Sequence, residues 1–215
     1  MSAKRDPGDM PDLFDTPAPE EERSFRTLDE FNAALRASEP SVPGGTKAVP
    51  GEGPVGAAIA FVGEQPGDEE DRQGRPFVGP AGRLFDEALE AAGIERAESY
   101  VTNAVKRFKF IQRGKRRIHQ KPTAGEIAHE RWWLERELGL VHPRLVVALG
   151  GTAGQALAGR KVAVMRERGP LSFGNRRGYL TVHPSSVLRV PDEEARRAAY
   201  DAFVADLRAV RELVG

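Results

Sequence analysis

Two histidines and one glutamate of this 215-residue chain stand in sequence contexts that could support chemistry. Glu64 lies in residues 63–67 (Gly-Glu-Gln-Pro-Gly), whose glycines and proline predict a rigid turn that lets a substrate approach the backbone closely. A carboxylate held in such a turn can orient a nucleophile or stabilise a cation. The plainer interpretation is a turn with an exposed glutamate, and the glycine–lysine pattern of a phosphate-binding P-loop is missing.

The first histidine, His119, ends residues 115–119 (Lys-Arg-Arg-Ile-His). The three cations before it, Lys115, Arg116 and Arg117, disfavour a charged imidazole, so His119 could be a neutral nucleophile. The surrounding residues 106–121 carry eight lysines and arginines and no acid. The alternative is a basic loop that contacts a phosphate backbone, in which His119 is incidental.

The second histidine, His183, opens residues 183–189 (His-Pro-Ser-Ser-Val-Leu-Arg). Its ring could donate a hydrogen bond to charge that develops on a leaving group. Ser185 and Ser186 could hold a phosphate, and Leu188 could wedge into a duplex. A single His-Pro-Ser sequence is weak evidence for any of these roles.

Two further residues could bind a nucleobase. Asn103, in residues 102–106 (Thr-Asn-Ala-Val-Lys), offers an amide that matches the N3–H and O4 of uracil and mismatches cytosine. Phe77, in residues 76–83 (Pro-Phe-Val-Gly-Pro-Ala-Gly-Arg), could stack on a base where a helix begins. The alternatives are an asparagine that forms a turn and a phenylalanine of the core.

The elements that must position these residues are short apolar strands alternating with helices. Strands are predicted at residues 57–62, 100–105, 145–149 and 179–182, and the segments between them show helical spacing. This order predicts a three-layer α/β/α sandwich around a central four-stranded parallel sheet. Ligands bind such sheets at the carboxyl ends of the strands, where the motifs lie. The basic segment is predicted to be a loop, and residues 162–172 a small hairpin or irregular edge.

Composition limits the remaining possibilities. The chain has no cysteine, a formal net charge of zero and no apolar run long enough to span a membrane. No signal peptide is evident, so we expect a cytoplasmic protein, and we assume a monomer. We predict a disordered acidic tail at residues 1–24, a short helix and Pro/Gly-rich linker packing on the domain at residues 25–56, and a catalytic domain at residues 57–215.

Together, and in this order, the four motifs that contain Glu64, Phe77, Asn103 and His183 resemble the iron–sulphur uracil-DNA glycosylases. The sequence Lys-Arg-Arg-Ile-His that ends at His119 resembles the UdgX branch, which crosslinks to uracil-containing DNA. The resemblance covers about residues 57–210 and implies the uracil-DNA glycosylase fold.

The resemblance also implies a role for each motif residue. His119 would attack C1′ of the sugar with help from Glu64, and His183 would stabilise the departing uracil anion. Four residues would bind uracil: Gly63, Gln65, Phe77 and Asn103. Six residues would contact DNA: Lys115, Arg116, Arg117, Ser185, Ser186 and Arg189.

One departure from the family concerns its four-iron cluster, which is held mostly by cysteines. Residues 40–56, rich in proline and glycine, stand where the family has its early cysteine pair, and Arg107 and His129 stand at the later ligand positions. Two such residues cannot hold a cluster made for thiolates, so we expect no metal and no cofactor. Trp132 and Trp133 are candidates to fill that region.

The leading functional hypothesis is therefore an enzyme that excises uracil from single- or double-stranded DNA and ends as a covalent adduct through His119. One alternative is a hydrolytic glycosylase in which Glu64 directs water. The other is a non-catalytic protein that binds uracil or abasic DNA.

Overall fold

A computed structural model of the chain describes residues 24–215 and has a five-stranded sheet with helices on both faces. The predicted acidic tail lies outside the described residues, apart from Ser24. The strands are β1 (Ile59–Gly63), β2 (Tyr100–Asn103), β3 (Phe110–Arg113), β4 (Arg116–His119), β5 (Leu145–Leu149), β6 (Gly169–Phe173) and β7 (Arg176–Thr181). The helices are α1 (Leu28–Ala37), α2 (Asp68–Gln73), α3 (Pro80–Ala92), α4 (Ala124–Val141), α5 (Gly151–Ala158), α6 (Val164–Glu167), α7 (Pro184–Leu188) and α8 (Glu193–Glu212).

The central sheet has the strand order β2-β1-β5-β7-β6. Its first four strands are mutually parallel, which confirms the predicted parallel sheet. The fifth strand, β6, pairs antiparallel with β7 at the edge of the sheet, where a hairpin or irregular edge was predicted. An antiparallel edge strand is common on sheets that are otherwise parallel.

Two apolar cores, one on each face of the sheet, make the three-layer sandwich. On one face, Leu134 and Leu138 of α4 and Ala156 of α5 pack against strand residues such as Val62 and Val146. On the other face, α3 and α8 pack against the alternate strand residues. Because β1 and β5 are buried on both faces, their sequences are continuous apolar runs.

An N-terminal cap, residues 25–56, lies against α4 and the end of β2. Phe31 and Leu35 of α1 are fully buried and form a cluster with Trp133. Phe25 makes ring contacts with Phe31, at 5.5 Å between centroids, and with Trp133, at 6.2 Å. Farther along the cap, an isolated bridge pairs Ala48 with Arg107.

The basic segment differs from its prediction, because it is not a loop. β3 and β4 form an antiparallel hairpin in which Phe110 pairs with His119, and Gly114 takes positive φ at the first position of a two-residue turn. The two cations that open the segment, Lys106 and Arg107, are buried. Within residues 24–215, no helix is both long and apolar enough to cross a membrane.

Candidate active site

A cavity of about 920 Å³ lies at the carboxyl ends of the parallel strands. β1 ends at Gly63 and β2 at Asn103, while Gly150 follows β5 and His183 follows β7. Because β2 and β5 lie on opposite sides of β1, the cavity sits where the strand order reverses, as in other open α/β sheets. The cavity is lined by nine of the predicted site residues: Glu64, Gln65, Phe77, Asn103, His119, His183, Ser185, Ser186 and Arg189.

One part of the cavity wall is built by Gly63, Phe77 and Asn103. A Cβ atom at Gly63 would overlap both the Asn103 amide oxygen and the Phe77 ring, so these groups close on the glycine. Phe77 takes φ +56°, which is unusual for a phenylalanine. The backbone at Phe77 lies so close to α3 that a Cβ atom at Gly82, a residue of that helix, would overlap the Phe77 carbonyl oxygen. Both side chains are largely buried and present a flat ring and an amide to the cavity.

The loop that carries Phe77 is held by a buried carboxylate. Glu70 of α2 accepts hydrogen bonds from the backbone N–H of Gly67 at 3.0 Å and of Gly79 at 2.8 Å. The two glycines bracket α2 and the turn before α3, so one side chain fixes both ends of this segment. The strained conformation of Phe77 is thus supported by its surroundings.

Glu64 directly follows β1 and has two side-chain partners. Its Oε2 accepts a hydrogen bond from the Thr152 hydroxyl at 2.5 Å, and its Oε1 lies 3.3 Å from Nε2 of His119. Burial raises the pKa of the Glu64 carboxyl, but the hydrogen bonds from His119 and Thr152, together with electrostatic interactions with His119 and His183, hold this pKa below its ordinary value. Glu64 is therefore a carboxylate at neutral pH. Thr152, at the start of α5, carried no signal in the sequence analysis.

His119 is the last residue of β4, and the imidazole is about half exposed. One fastening of the hairpin that carries it is the side chain of Arg117. Arg117 forms ion pairs with Asp68 and Asp71 of α2, and its guanidinium lies 5.1 Å from the centroid of the Phe110 ring. These contacts orient the outer part of the hairpin toward α2.

A second fastening is the side-chain amide of Gln65. Its oxygen accepts from the backbone N–H of Lys109 at 3.2 Å, and its nitrogen donates to the carbonyl of Gln120 at 3.0 Å. Lys109 and Gln120 are the residues that flank the hairpin. Gln65 therefore ties the base of the hairpin to the end of β1, next to Glu64.

His183 caps the N-terminus of α7. Its Nδ1 accepts a hydrogen bond from the backbone N–H of Ser185 at 3.1 Å, so the neutral ring carries its proton on Nε2. Burial lowers the pKa of His183 to about 4. His183 is thus a neutral hydrogen-bond donor at physiological pH, and its ring centroid lies 6.1 Å from that of Phe77.

The six residues predicted to contact DNA fall into two groups. Lys115 and Arg116 are exposed at the hairpin turn, whereas Arg117 is already paired with α2. Ser185 bonds to His183 Nδ1 and to Arg189, and Ser186 donates to the His183 carbonyl. Exposed residues that were not singled out from the sequence also line the cavity, among them Lys121 and Met165.

The residues at the positions where the resemblance implies cluster ligands do not fit an iron–sulphur cluster. The chain has no cysteine, and the buried Arg107 guanidinium donates to the carbonyls of Leu35 and Ser38 and to the Ser38 hydroxyl. A cation that donates hydrogen bonds cannot act as a metal ligand. Among residues 24–215, no group of three or more acidic or histidine side chains could hold a metal ion. Trp132 and Trp133 lie in the aromatic cluster beside this position.

Comparison with known proteins identifies the family. Residues 50–208 match the model of the uracil DNA glycosylase superfamily. The chain is 39% identical to the type-4 uracil-DNA glycosylase of Thermotoga maritima, over 71% of this chain and 77% of that one. It is 35% identical to the type-4 enzyme of Pyrobaculum aerophilum, over 67% and 74%. It is 32% identical to that of Archaeoglobus fulgidus, over 79% and 83%.

Proposed function

Because the chain belongs to the uracil DNA glycosylase superfamily and is a uracil-DNA glycosylase, we propose that it cuts uracil from DNA and then bonds covalently to the remaining sugar through His119. The observation that carries this proposal is the 3.3 Å contact between His119 Nε2 and Glu64 Oε1 at the wall of the cavity. It brings a nucleophile and a carboxylate together beside the two residues suited to hold the base, Asn103 and His183.

Uracil is recognised by the part of the cavity wall that Gly63, Phe77 and Asn103 form. A base inserted there can stack on Phe77 while the Asn103 amide donates to O4 and accepts from N3–H. Cytosine presents the reverse donor and acceptor pattern on that edge and leaves the buried amide mismatched. The close approach of Gly63 to both side chains leaves no room for a Cβ atom, which keeps the wall flat.

Bond cleavage uses His183 and Glu64. The C1′–N1 bond breaks with its electron pair leaving on uracil, and the anion accepts a hydrogen bond from the Nε2–H of His183. The sugar becomes an oxocarbenium-like cation, and the carboxylate of Glu64 stabilises its positive charge. Neither residue has to change its protonation state, since Glu64 is already ionised and His183 is already neutral.

Capture of the sugar uses His119. Glu64 accepts from the Nε2–H of the neutral imidazole, which leaves a lone pair on the other ring nitrogen. That lone pair forms the bond to C1′, and the positive charge moves from the sugar to the imidazolium beside Glu64. A positioned group outcompetes water because its effective molarity reaches about 10⁵ M or more.

A hydrolytic glycosylase is the second candidate. It is favoured by the exposure of His119, of which about half is open to solvent, since water can also reach the sugar there. In that case Glu64, held by Thr152, orients the water that attacks C1′.

Denaturing electrophoresis separates the two candidates. The protein is incubated with single- and double-stranded oligonucleotides that carry one uracil, and cytosine replaces the uracil in the control. We expect a band of lower mobility that survives denaturant, which is the adduct. An alkali-labile abasic site without that band supports hydrolysis, and intact DNA contradicts both.

A further inference from the structure

We infer that Lys106, a lysine with no exposed surface, is a positioning residue for Asn103 and hence for the choice of base; the inference rests on the proposed function. The Nζ of Lys106 donates a hydrogen bond of 2.8 Å to the backbone carbonyl of Asn103. Lys106 lines no part of the cavity, and it acts through Asn103 alone.

The ammonium group is fully partnered. Besides the Asn103 carbonyl, it donates to the Thr102 hydroxyl at 2.8 Å and to Oε2 of Glu137 at 2.5 Å. Three protons thus meet three acceptors, and Thr102 and Glu137 are themselves buried. A buried network in which every member is satisfied is rigid and fixes the positions of its members.

Glu137 connects this network to the rest of the molecule. It projects from α4, and its Oε1 accepts from the Tyr100 hydroxyl at 3.1 Å and from the Gly51 backbone N–H at 2.9 Å. Its Oε2 also accepts from the Thr102 hydroxyl at 2.8 Å. One carboxylate therefore joins α4, β2 and the N-terminal cap at the point where β2 ends.

The network and the cavity lie on opposite faces of β2. Tyr100 packs in the core beside α4, whereas Val101 packs in the core on the other face. Since side chains alternate along a strand, Thr102 faces α4 and Asn103 faces the cavity, where its amide oxygen and the Phe77 ring both lie close to Gly63. Lys106 therefore fixes the Asn103 backbone, while the Asn103 side chain remains available to uracil.

Stability alone does not require the charges. Well-packed apolar residues can often replace a buried ion pair without loss of stability, so this pair is weak evidence of a stabilising role. Orientation is a stronger reason, because a displacement of about 1 Å of a recognition group can reduce a rate about 10²-fold.

The test compares base discrimination among folded variants. Lys106→Met alone would leave the Glu137 carboxylate buried without its cation, so the informative variant is Lys106→Met combined with Glu137→Leu. The control, Tyr100→Phe, removes a hydroxyl from the same carboxylate and leaves the contact between Lys106 and Asn103 intact. Asn103→Ala gives the size of a complete loss of base reading. Circular dichroism and thermal unfolding establish that each variant folds.

The probe is an oligonucleotide with 2′-fluoro-2′-deoxyuridine, whose glycosidic bond resists cleavage, and its 2′-fluoro-2′-deoxycytidine counterpart. We expect the ratio of the two affinities to fall about tenfold in the double variant, toward the Asn103→Ala value, and to stay unchanged in Tyr100→Phe. A folded double variant with the wild-type ratio would overturn the inference. Failure of wild-type protein to cut uracil from ordinary DNA would instead overturn the proposed function.

Discussion

At the scale of single residues, His119 decides whether the reaction ends in an adduct. We expect His119→Ala and His119→Ser to lose the crosslink completely, because the proposed nucleophile is the His119 imidazole, whose Nε2 lies 3.3 Å from Oε1 of Glu64. The serine variant should release uracil and leave an abasic site, since water can occupy the vacated space. Mass spectrometry of the digested wild-type adduct should place the sugar on the His119 peptide; a sugar on a lysine such as Lys121 would identify a different nucleophile.

The pKa of His183 predicts the pH below which the rate of uracil release declines. Its value of about 4 lies below the ordinary 6.5 of histidine, so the ring stays neutral from alkaline pH down to about 4 and gains a proton only below that. Because the pKa of Glu64 is also lowered, neither residue should titrate between pH 5 and 8.

The test measures the rate of single-turnover uracil release by His119→Ser as a function of pH. This variant lacks the imidazole of residue 119, which therefore does not contribute to the profile. We expect a flat profile between pH 5 and 8, with a decline toward pH 4. His183→Asn serves as the control, since it lacks the titrating ring. An inflection near pH 6.5 that disappears in His183→Asn would show that His183 is an ordinary exposed histidine.

At this scale, a residue's type and its position at a strand end together predicted a location at the cavity. Asn103 and His183 follow directly from such positions. Thr152 could not be found in this way, because its contact with Glu64 joins residues 88 positions apart. From the sequence, Lys106 and Arg107 also count as part of an exposed basic segment, because their acceptors lie on α1, α4 and β2, and only the fold brings these together.

At the scale of elements, the hairpin carries two kinds of cation, those that are exposed and one that is paired with α2. Lys115 and Arg116 are exposed at its turn, and replacing both with glutamine should reduce the salt dependence of DNA binding by about one unit of log–log slope for each phosphate that is no longer neutralised. Arg117→Gln should leave that slope closer to the wild type. It should instead slow crosslinking about tenfold or more, because the hairpin loses its ion pairs to Asp68 and Asp71 and no longer holds His119 in place.

Binding measured between 50 and 300 mM salt, together with single-turnover crosslinking, separates the two effects. Arg113→Gln is the matched control for the loss of one hairpin charge, since Arg113 is exposed and lies on β3. A slope that Lys115 and Arg116 do not affect would mean that the hairpin turn points away from DNA.

The hairpin also shows why element prediction failed in one place. The apolar run of β5 predicts its bounds, Leu145–Leu149, because both faces of that strand are buried. Within residues 24–215, β3 and β4 pair with each other and with no other strand, and they are mostly exposed, so no apolar alternation marks them. The available signal was Gly114, which together with Lys115 forms a two-residue turn of the kind that closes hairpins.

At the scale of the whole molecule, the N-terminal cap packs against the domain, and the chain has no cysteine that could supply thiolate ligands there. We expect the purified protein to be colourless and to contain no stoichiometric iron, because the chain has no cysteine and Arg107 donates hydrogen bonds where the resemblance to the iron–sulphur enzymes implies a cluster ligand. Elemental analysis and a visible spectrum measure this directly, and incubation with a chelator should leave uracil excision unchanged. One iron cluster per chain would contradict the assignment of Arg107.

The aromatic cluster of the cap has a consequence for how the protein reaches its native state. Phe31, Leu35 and Trp133 are buried by the chain's own packing, and the Arg107 guanidinium closes on backbone carbonyls. Where a metal completes a fold, mass action links stability to metal supply. If the purified protein contains no iron, as we expect, this linkage is absent and the folding equilibrium depends on the polypeptide and its solvent. Synthesis of the active protein would then be independent of iron delivery and insensitive to oxidants that dismantle clusters.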